Sequence, residues 1–158
     1  MLCWMQRLTQ NLFHKTRKTV LNNHSPFSGI GLIKFLPGIA WFLFVLILIC
    51  LPGESIPDIG WANFIDFDKL VHAGLFGGIV FLFCLPFRKA SLDRHDKINL
   101  FIKITIATCA WGIITEFIQK FFIPGRQFDL LDWAADSAGA IIAFFVCKRL
   151  FGPAATPQ

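Results

Sequence analysis

Charge is scarce in this sequence. Only 16% of its 158 residues are Asp, Glu, Lys or Arg, while 55% are hydrophobic; an average soluble domain is about a quarter charged. Small soluble folds keep a large surface relative to their volume, so a water-soluble domain of this size could not hide so much apolar side chain. The sequence also lacks a recognised nucleophile motif, a phosphate-binding loop, an internal repeat and a low-complexity tract. Its cysteines have no metal-ligand spacing. Cys50, Cys84, Cys109 and Cys147 fall one to each apolar segment and Cys3 stands alone, which fits Cys packed as a small hydrophobe.

What is present is a set of apolar runs, at about 34–51, 69–87, 98–122 and 131–151. A bilayer's hydrocarbon core takes roughly 20 helical residues. The pattern therefore predicts an all-α fold, a four-helix transmembrane bundle. Pro37 sits in the first turn of the first run, where a missing N–H costs little, and Pro52-Gly53 ends it. Lys103, Glu116 and Lys120 interrupt the third run; the two lysines lie near its ends and can snorkel. Ile123-Pro124-Gly125-Arg126 fits a type II turn, with proline second and glycine third, and so predicts a tight hairpin between the last two helices. Residues 1–33 read as a basic cytoplasmic leader, interfacial or disordered, with Met5 as an alternative start, and residues 152–158 as a short tail. No small-residue cleavage site follows the first run, so a removed signal peptide is not expected.

The net charge of +5 could suggest nucleic acid, but its distribution argues otherwise. Arg7, Lys15, Arg17, Lys18 and Lys34 precede the first helix; Arg88, Lys89, Arg94 and Lys97 lie between the second and third; Lys148 and Arg149 end the fourth. Lys and Arg accumulate on the cytoplasmic side, so both termini are predicted inside. Of the 10 acidic residues, all but Asp93 and Asp96 then fall toward the outer side. The basic residues read as an orientation signal with some attraction to anionic lipid, and no nucleic-acid partner is expected.

Polar groups at membrane depth are costly and mark functional candidates. Asp68, Lys69 and His72 open the second helix, with Asp68 and His72 on one face by their spacing. Glu116 and Gln119 end the third, beyond a stripe of Thr105, Thr108, Gly112 and Thr115. Asp129, Asp132 and Asp136 open the fourth, and Arg126 lies in the hairpin. Plainer roles are open to most of them. Asp68 and Asp129 can be N-caps, His72 can make an interhelical hydrogen bond, and Arg126 can form a structural ion pair with one carboxylate. Gly74 and Gly78 form a GxxxG, and these with Gly139 read as helix-packing positions. Glu116 and Asp136 lie too far inside their helices for a capping role. The acid-rich balance calls for a shared proton, a bound cation or a cationic ligand. Asp132 and Asp136 are the candidate ligands for a divalent cation.

The runs FDKLVHAGLF and TEFIQKFFIPGRQFDLLDWAADSAG resemble the VanZ-like family of small membrane proteins. Asp68, Lys69 and His72 match its Asp-Lys-x-x-His. Glu116, Gln119, Gly125, Arg126, Asp129, Asp132 and Gly139 match its Glu-x-x-Gln, Gly-Arg and Asp-x-x-Asp…Gly elements, and Asp136 stands where Asn is expected. The resemblance covers about residues 35–150. It implies a multi-pass protein of the bacterial cytoplasmic membrane, connected with the cell envelope. The founding member is associated with resistance to teicoplanin, but such likeness transfers no function by itself.

Three functions follow as expectations. The preferred one is a binder that recognises an envelope precursor, lipid headgroup, ligand or protein partner through the outward polar cluster, because short helices enclose little volume for a reaction chamber. The second is an enzyme acting on a lipid-linked envelope precursor or headgroup, with Arg126 holding a phosphate or carboxylate and His72 or Glu116 as general base. The third is an ion or proton pathway. The orientation itself is testable: reporter fusions after Gly60 and Gln127 should report outside, and one after Arg94 inside. The inverse pattern would overturn it.

Overall fold

In hydrocarbon every backbone N–H and C=O must find a partner within the protein, and a helix satisfies them within one segment. The computed structural model describes residues 31–51 and 67–152. Helix α1 spans Leu36–Ile49 after a 3-10 turn at Leu32–Phe35, and α2 spans Phe67–Cys84 followed by a 3-10 turn at Leu85–Phe87. Helices α3 and α4 span Arg94–Phe122 and Leu130–Phe151, and the described residues contain no strand. The expectations for residues 1–30, for Pro52-Gly53 and for residues 153–158 lie outside the described residues.

With their flanking turns the four helical segments run 18, 21, 29 and 22 residues, with mean hydropathies of 2.5, 2.1, 1.6 and 1.6. Burial is inverted relative to a soluble fold. Leu43, Ile47, Ile106, Phe117, Ile142 and Phe145 face outward, while Thr105, Glu116, Gln119 and Asp136 are buried. The chain is an all-α, multi-pass membrane protein whose natural surroundings are lipid.

Two boundaries depart from the sequence reading. Helix α3 begins at Arg94 rather than near 98. At 29 residues its length is about 44 Å, well beyond a core of about 30 Å, which leaves enough helix for its polar first turn to stand outside the hydrocarbon. Lys97 is consequently not a loop residue; it is buried, and its Nζ donates to the Arg88 carbonyl at 3.0 Å. The α-helical part of α2 ends at Cys84 and tightens to 3-10 geometry at Leu85–Phe87, where Pro86 has no N–H to continue the i→i−4 ladder.

Sequential helices are antiparallel. The Phe35 ring before α1 meets Phe87 after α2, with centroids 5.6 Å apart. The predicted hairpin joins α3 to α4: Gly125 has φ +77°, and the Arg126 N–H donates to the Ile123 carbonyl at 3.3 Å. Two antiparallel steps make α2 and α4 parallel, and these two share the most extensive contact in the bundle. Their partners advance together along both chains, from Lys69 with Asp132 and His72 with Asp136 to Cys84 and Cys147 in one core cluster.

Small residues set this parallel contact, as in other membrane helix pairs. A Cβ added at Gly139 would strike the Ala73 carbonyl, and one at Gly77 would lie 3.0 Å from the Gly139 carbonyl oxygen. The GxxxG expectation is corrected in part. A Cβ at Gly74 would meet nothing within 4 Å, so this glycine lies at no close helix contact. Gly78 does make room, but for α1: its Cβ would lie 2.5 Å from Nε1 of Trp41, which donates to the Leu75 carbonyl at 2.9 Å. Gly139→Ala should therefore cost about 1–3 kcal/mol by overpacking, seen as a lower melting temperature in detergent. Gly74→Ala should leave stability unchanged or slightly raised. Equal effects of the two would contradict this packing.

Candidate functional site

The parallel approach of α2 and α4 brings their first turns side by side, and the α3–α4 hairpin delivers the end of α3 to the same level. The Nδ1–H of His72 donates to Oδ1 of Asp136 at 2.9 Å. Lys69 Nζ lies 3.9 Å from Asp132 Oδ1, an electrostatic contact too long for a hydrogen bond. Glu116 Oε2 accepts the Asp129 backbone N–H at 2.9 Å. One potential ligand atom from each of His72, Glu116 and Asp136 lies within 4.8 Å of the others, and the same holds for Asp68, His72 and Asp132. Helices α2, α3 and α4 thus converge on one polar cluster.

The cluster is graded in depth. Asp68 is exposed and Lys69 half-buried, whereas Glu116 and Asp136 are 0% exposed. Glu116 and Asp136 are each fixed by one oxygen and left open at the other: Glu116 Oε1 and Asp136 Oδ2 are enclosed without a hydrogen-bond partner, as is Oδ1 of the buried Asp132. Buried polar atoms are ordinarily satisfied, so these call for an explanation. Gly112 supplies the room beside Asp136, since a Cβ there would sit 3.2 Å from Oδ2.

The sequence-based candidates divide. Asp68, Lys69, His72, Glu116, Asp132 and Asp136 are brought together. Asp68 is not a cap of α2; it lies inside the first turn of a helix that already includes Phe67, where a carboxylate meets the positive helix end. Asp129 is the N-cap of α4, its Oδ1 accepting from the Leu131 N–H at 2.8 Å. Gln119 is buried on the face it shares with Glu116. Arg126 forms no ion pair with a carboxylate among the described residues, and its Nε is enclosed without a partner.

Sequence reasoning missed Gly77, Trp133 and Ser137. The Trp133 Nε1–H donates to the Cys109 carbonyl at 3.0 Å, pinning α4 to α3 beside the site. Ser137 follows Asp136 and has an enclosed, unpartnered Oγ. A tryptophan in an apolar run does not name its acceptor, but its N–H needs one in hydrocarbon.

No family model, curated protein or solved structure matches this chain.

The site therefore has to be read from its own geometry, beginning with Glu116. Glu116→Gln keeps an oxygen for the Asp129 N–H, so protein levels in the membrane should match the parent. Glu116→Ala removes that acceptor and should cost about 1–3 kcal/mol, read by thermal unfolding in detergent. Equal destabilisation by both substitutions would show that the charge, rather than the hydrogen bond, holds the hairpin.

Proposed function

We propose that this chain is a VanZ-like protein of the bacterial cytoplasmic membrane that binds the headgroup of an envelope lipid or lipid-linked precursor in an outward-facing polar site. One observation carries the reading: His72, Glu116 and Asp136 converge from three helices, yet leave Glu116 Oε1 and Asp136 Oδ2 unsatisfied. A purely structural polar network would be expected to satisfy its own members, because an unpaired polar group in an apolar interior costs several kcal/mol. Unmet bonding capacity at the lipid interface is what a receptor for a polar ligand would retain. The charge asymmetry of the loops supports an outward position, and the Asp-Lys-x-x-His and Gly-Arg…Asp-x-x-Asp motifs support the family reading.

A second reading draws on the His72–Asp136 hydrogen bond of 2.9 Å. A carboxylate holding one ring nitrogen orients an imidazole as a general base, which would suit hydrolysis or transfer at a headgroup. Among the described residues no hydroxyl or thiol is hydrogen-bonded to the pair, so water or a second substrate would have to serve. No antibiotic-resistance role is assigned.

Native mass spectrometry of the purified protein tests the binding reading. The parent should retain an envelope lipid. Alanine replacement of His72, Glu116, Arg126, Asp132 or Asp136, one at a time, should reduce retention by about tenfold or more where membrane levels stay normal. Five normally inserted variants with full retention would sink the proposal. Turnover of added lipid-linked precursor by the parent, abolished by His72→Ala, would promote the enzyme reading instead.

A further inference from the structure

We propose that His72, Glu116 and Asp136 bind one divalent transition-metal ion, whose open coordination position accepts a phosphate oxygen of the headgroup. The headgroup half of this statement rests on the binding reading above; the metal half stands apart from it.

The donors are close together and buried. One potential ligand atom from each residue lies within 4.8 Å of the other two, and all three residues are buried. Each carboxylate has one oxygen anchored, Asp136 Oδ1 by His72 and Glu116 Oε2 by the Asp129 N–H, and its second oxygen enclosed without a partner. The Asp129 N–H acts on Glu116 from outside the donor set, as outer-shell hydrogen bonds orient carboxylate ligands, while the His72–Asp136 bond fixes two of the donors against each other. The imidazole, held at Nδ1 by Asp136, keeps its other ring nitrogen for a ligand.

Charge and donor type narrow the ion. Two carboxylates and a neutral imidazole balance a dication, and a neutral assembly is the one least costly to keep out of water. Mg²⁺ and Ca²⁺ favour all-oxygen shells, whereas one nitrogen with carboxylate oxygens suits Zn²⁺ or Mn²⁺. Three protein ligands leave Zn²⁺ an open position. The neighbouring set of Asp68, His72 and Asp132 is a poorer choice: Oδ1 of Asp132 is likewise enclosed without a hydrogen bond, but Asp68 is exposed and the Lys69 ammonium at 3.9 Å already offsets the charge of Asp132. The ion also resolves a conflict in the binding reading. A bare acidic site would repel a phosphate; a dication with an open position would attract one.

The full-length protein in detergent, stripped with chelator, should take up one equivalent of Zn²⁺ or Mn²⁺ by calorimetric titration. Its melting temperature should rise with the ion and fall again on chelation. His72→Ala, Glu116→Gln and Asp136→Asn should each weaken affinity by at least about tenfold, while Asp93→Asn, at the other end of the bundle, should not. Failure of the parent to bind either ion saturably, or parent-like affinity in all three variants, would overturn the metal site whatever lipid is retained. Metal-loaded protein is then offered short-chain phosphatidylglycerol or inorganic phosphate. Lipid binding that falls about tenfold on chelation supports the headgroup half, and phosphate binding alone assigns the position to a free anion. Lipid binding indifferent to chelation, or none at all, overturns that half and leaves the metal site standing.

Discussion

The bundle depends on how closely α2 and α4 approach at Gly139. Gly139 leaves room for the Ala73 carbonyl, and Gly77 for the Gly139 carbonyl; without a hydrophobic drive between helices in lipid, close backbone approach is what favours association. From that point the parallel register runs both ways. Toward one end it brings Val80 and Cys84 against Ala140, Ala143 and Cys147 in a dry core. Toward the other it sets His72 on Asp136 and Lys69 beside Asp132. A register slip by one residue would turn Asp136 off this face. The packing glycine therefore sits one turn from the carboxylate it positions.

The polar cluster is tolerable because it is only partly in conflict with its surroundings. His72 with Asp136, and Glu116 with the Asp129 N–H, each satisfy one oxygen per carboxylate. The remaining oxygens lie near the end of α3 and in the first half of α4, toward one end of the bundle rather than at its middle. The Asp129 bond has a further consequence. Asp129 caps α4 with its side chain and ties the hairpin to α3 through its backbone, so the geometry of the turn and the position of Glu116 are coupled.

Features with local causes were legible in the sequence. Hydropathy located the four spans, proline followed by glycine encoded the turn that Gly125 closes with positive φ, and Asp129 stood where a cap belongs. The cluster as a group was legible too, because helix periodicity places Asp68 with His72 and Asp132 with Asp136. What depends on tertiary partners was not. Gly74 and Gly78 look equivalent in a GxxxG, yet Gly74 faces open space while Gly78 faces the Trp41 indole. The glycine that meets α4 is Gly77, one of the intervening positions that the motif leaves unspecified. Charge complementarity suggested an ion pair for Arg126, but the pairing geometry belongs to α2 and α4, and the ion pair formed there is Lys69 with Asp132.

The depth of the site also separates the expected functions. From Asp68 to His72, and from Asp132 to Asp136, the helices rise about 6 Å, against a hydrocarbon core of about 30 Å. The cluster thus occupies a shallow layer. Beyond it the threonine stripe gives little to a permeating ion: Thr105 donates to the Phe101 carbonyl, Thr108 to the Ile104 carbonyl and Thr115 to the Gly112 carbonyl. Alongside and beyond the stripe, Phe101, Val80, Cys84 and Ala140 are packed at 0% exposure. A transmembrane path would have to open that dry core, whereas a headgroup needs only to enter from the interface, past the exposed Asp68 and the half-buried Lys69. The same shallow placement suits an ion with one face on protein ligands and the other toward the interface, so the depth of His72, Glu116 and Asp136 favours capture at the surface over conduction through the bilayer.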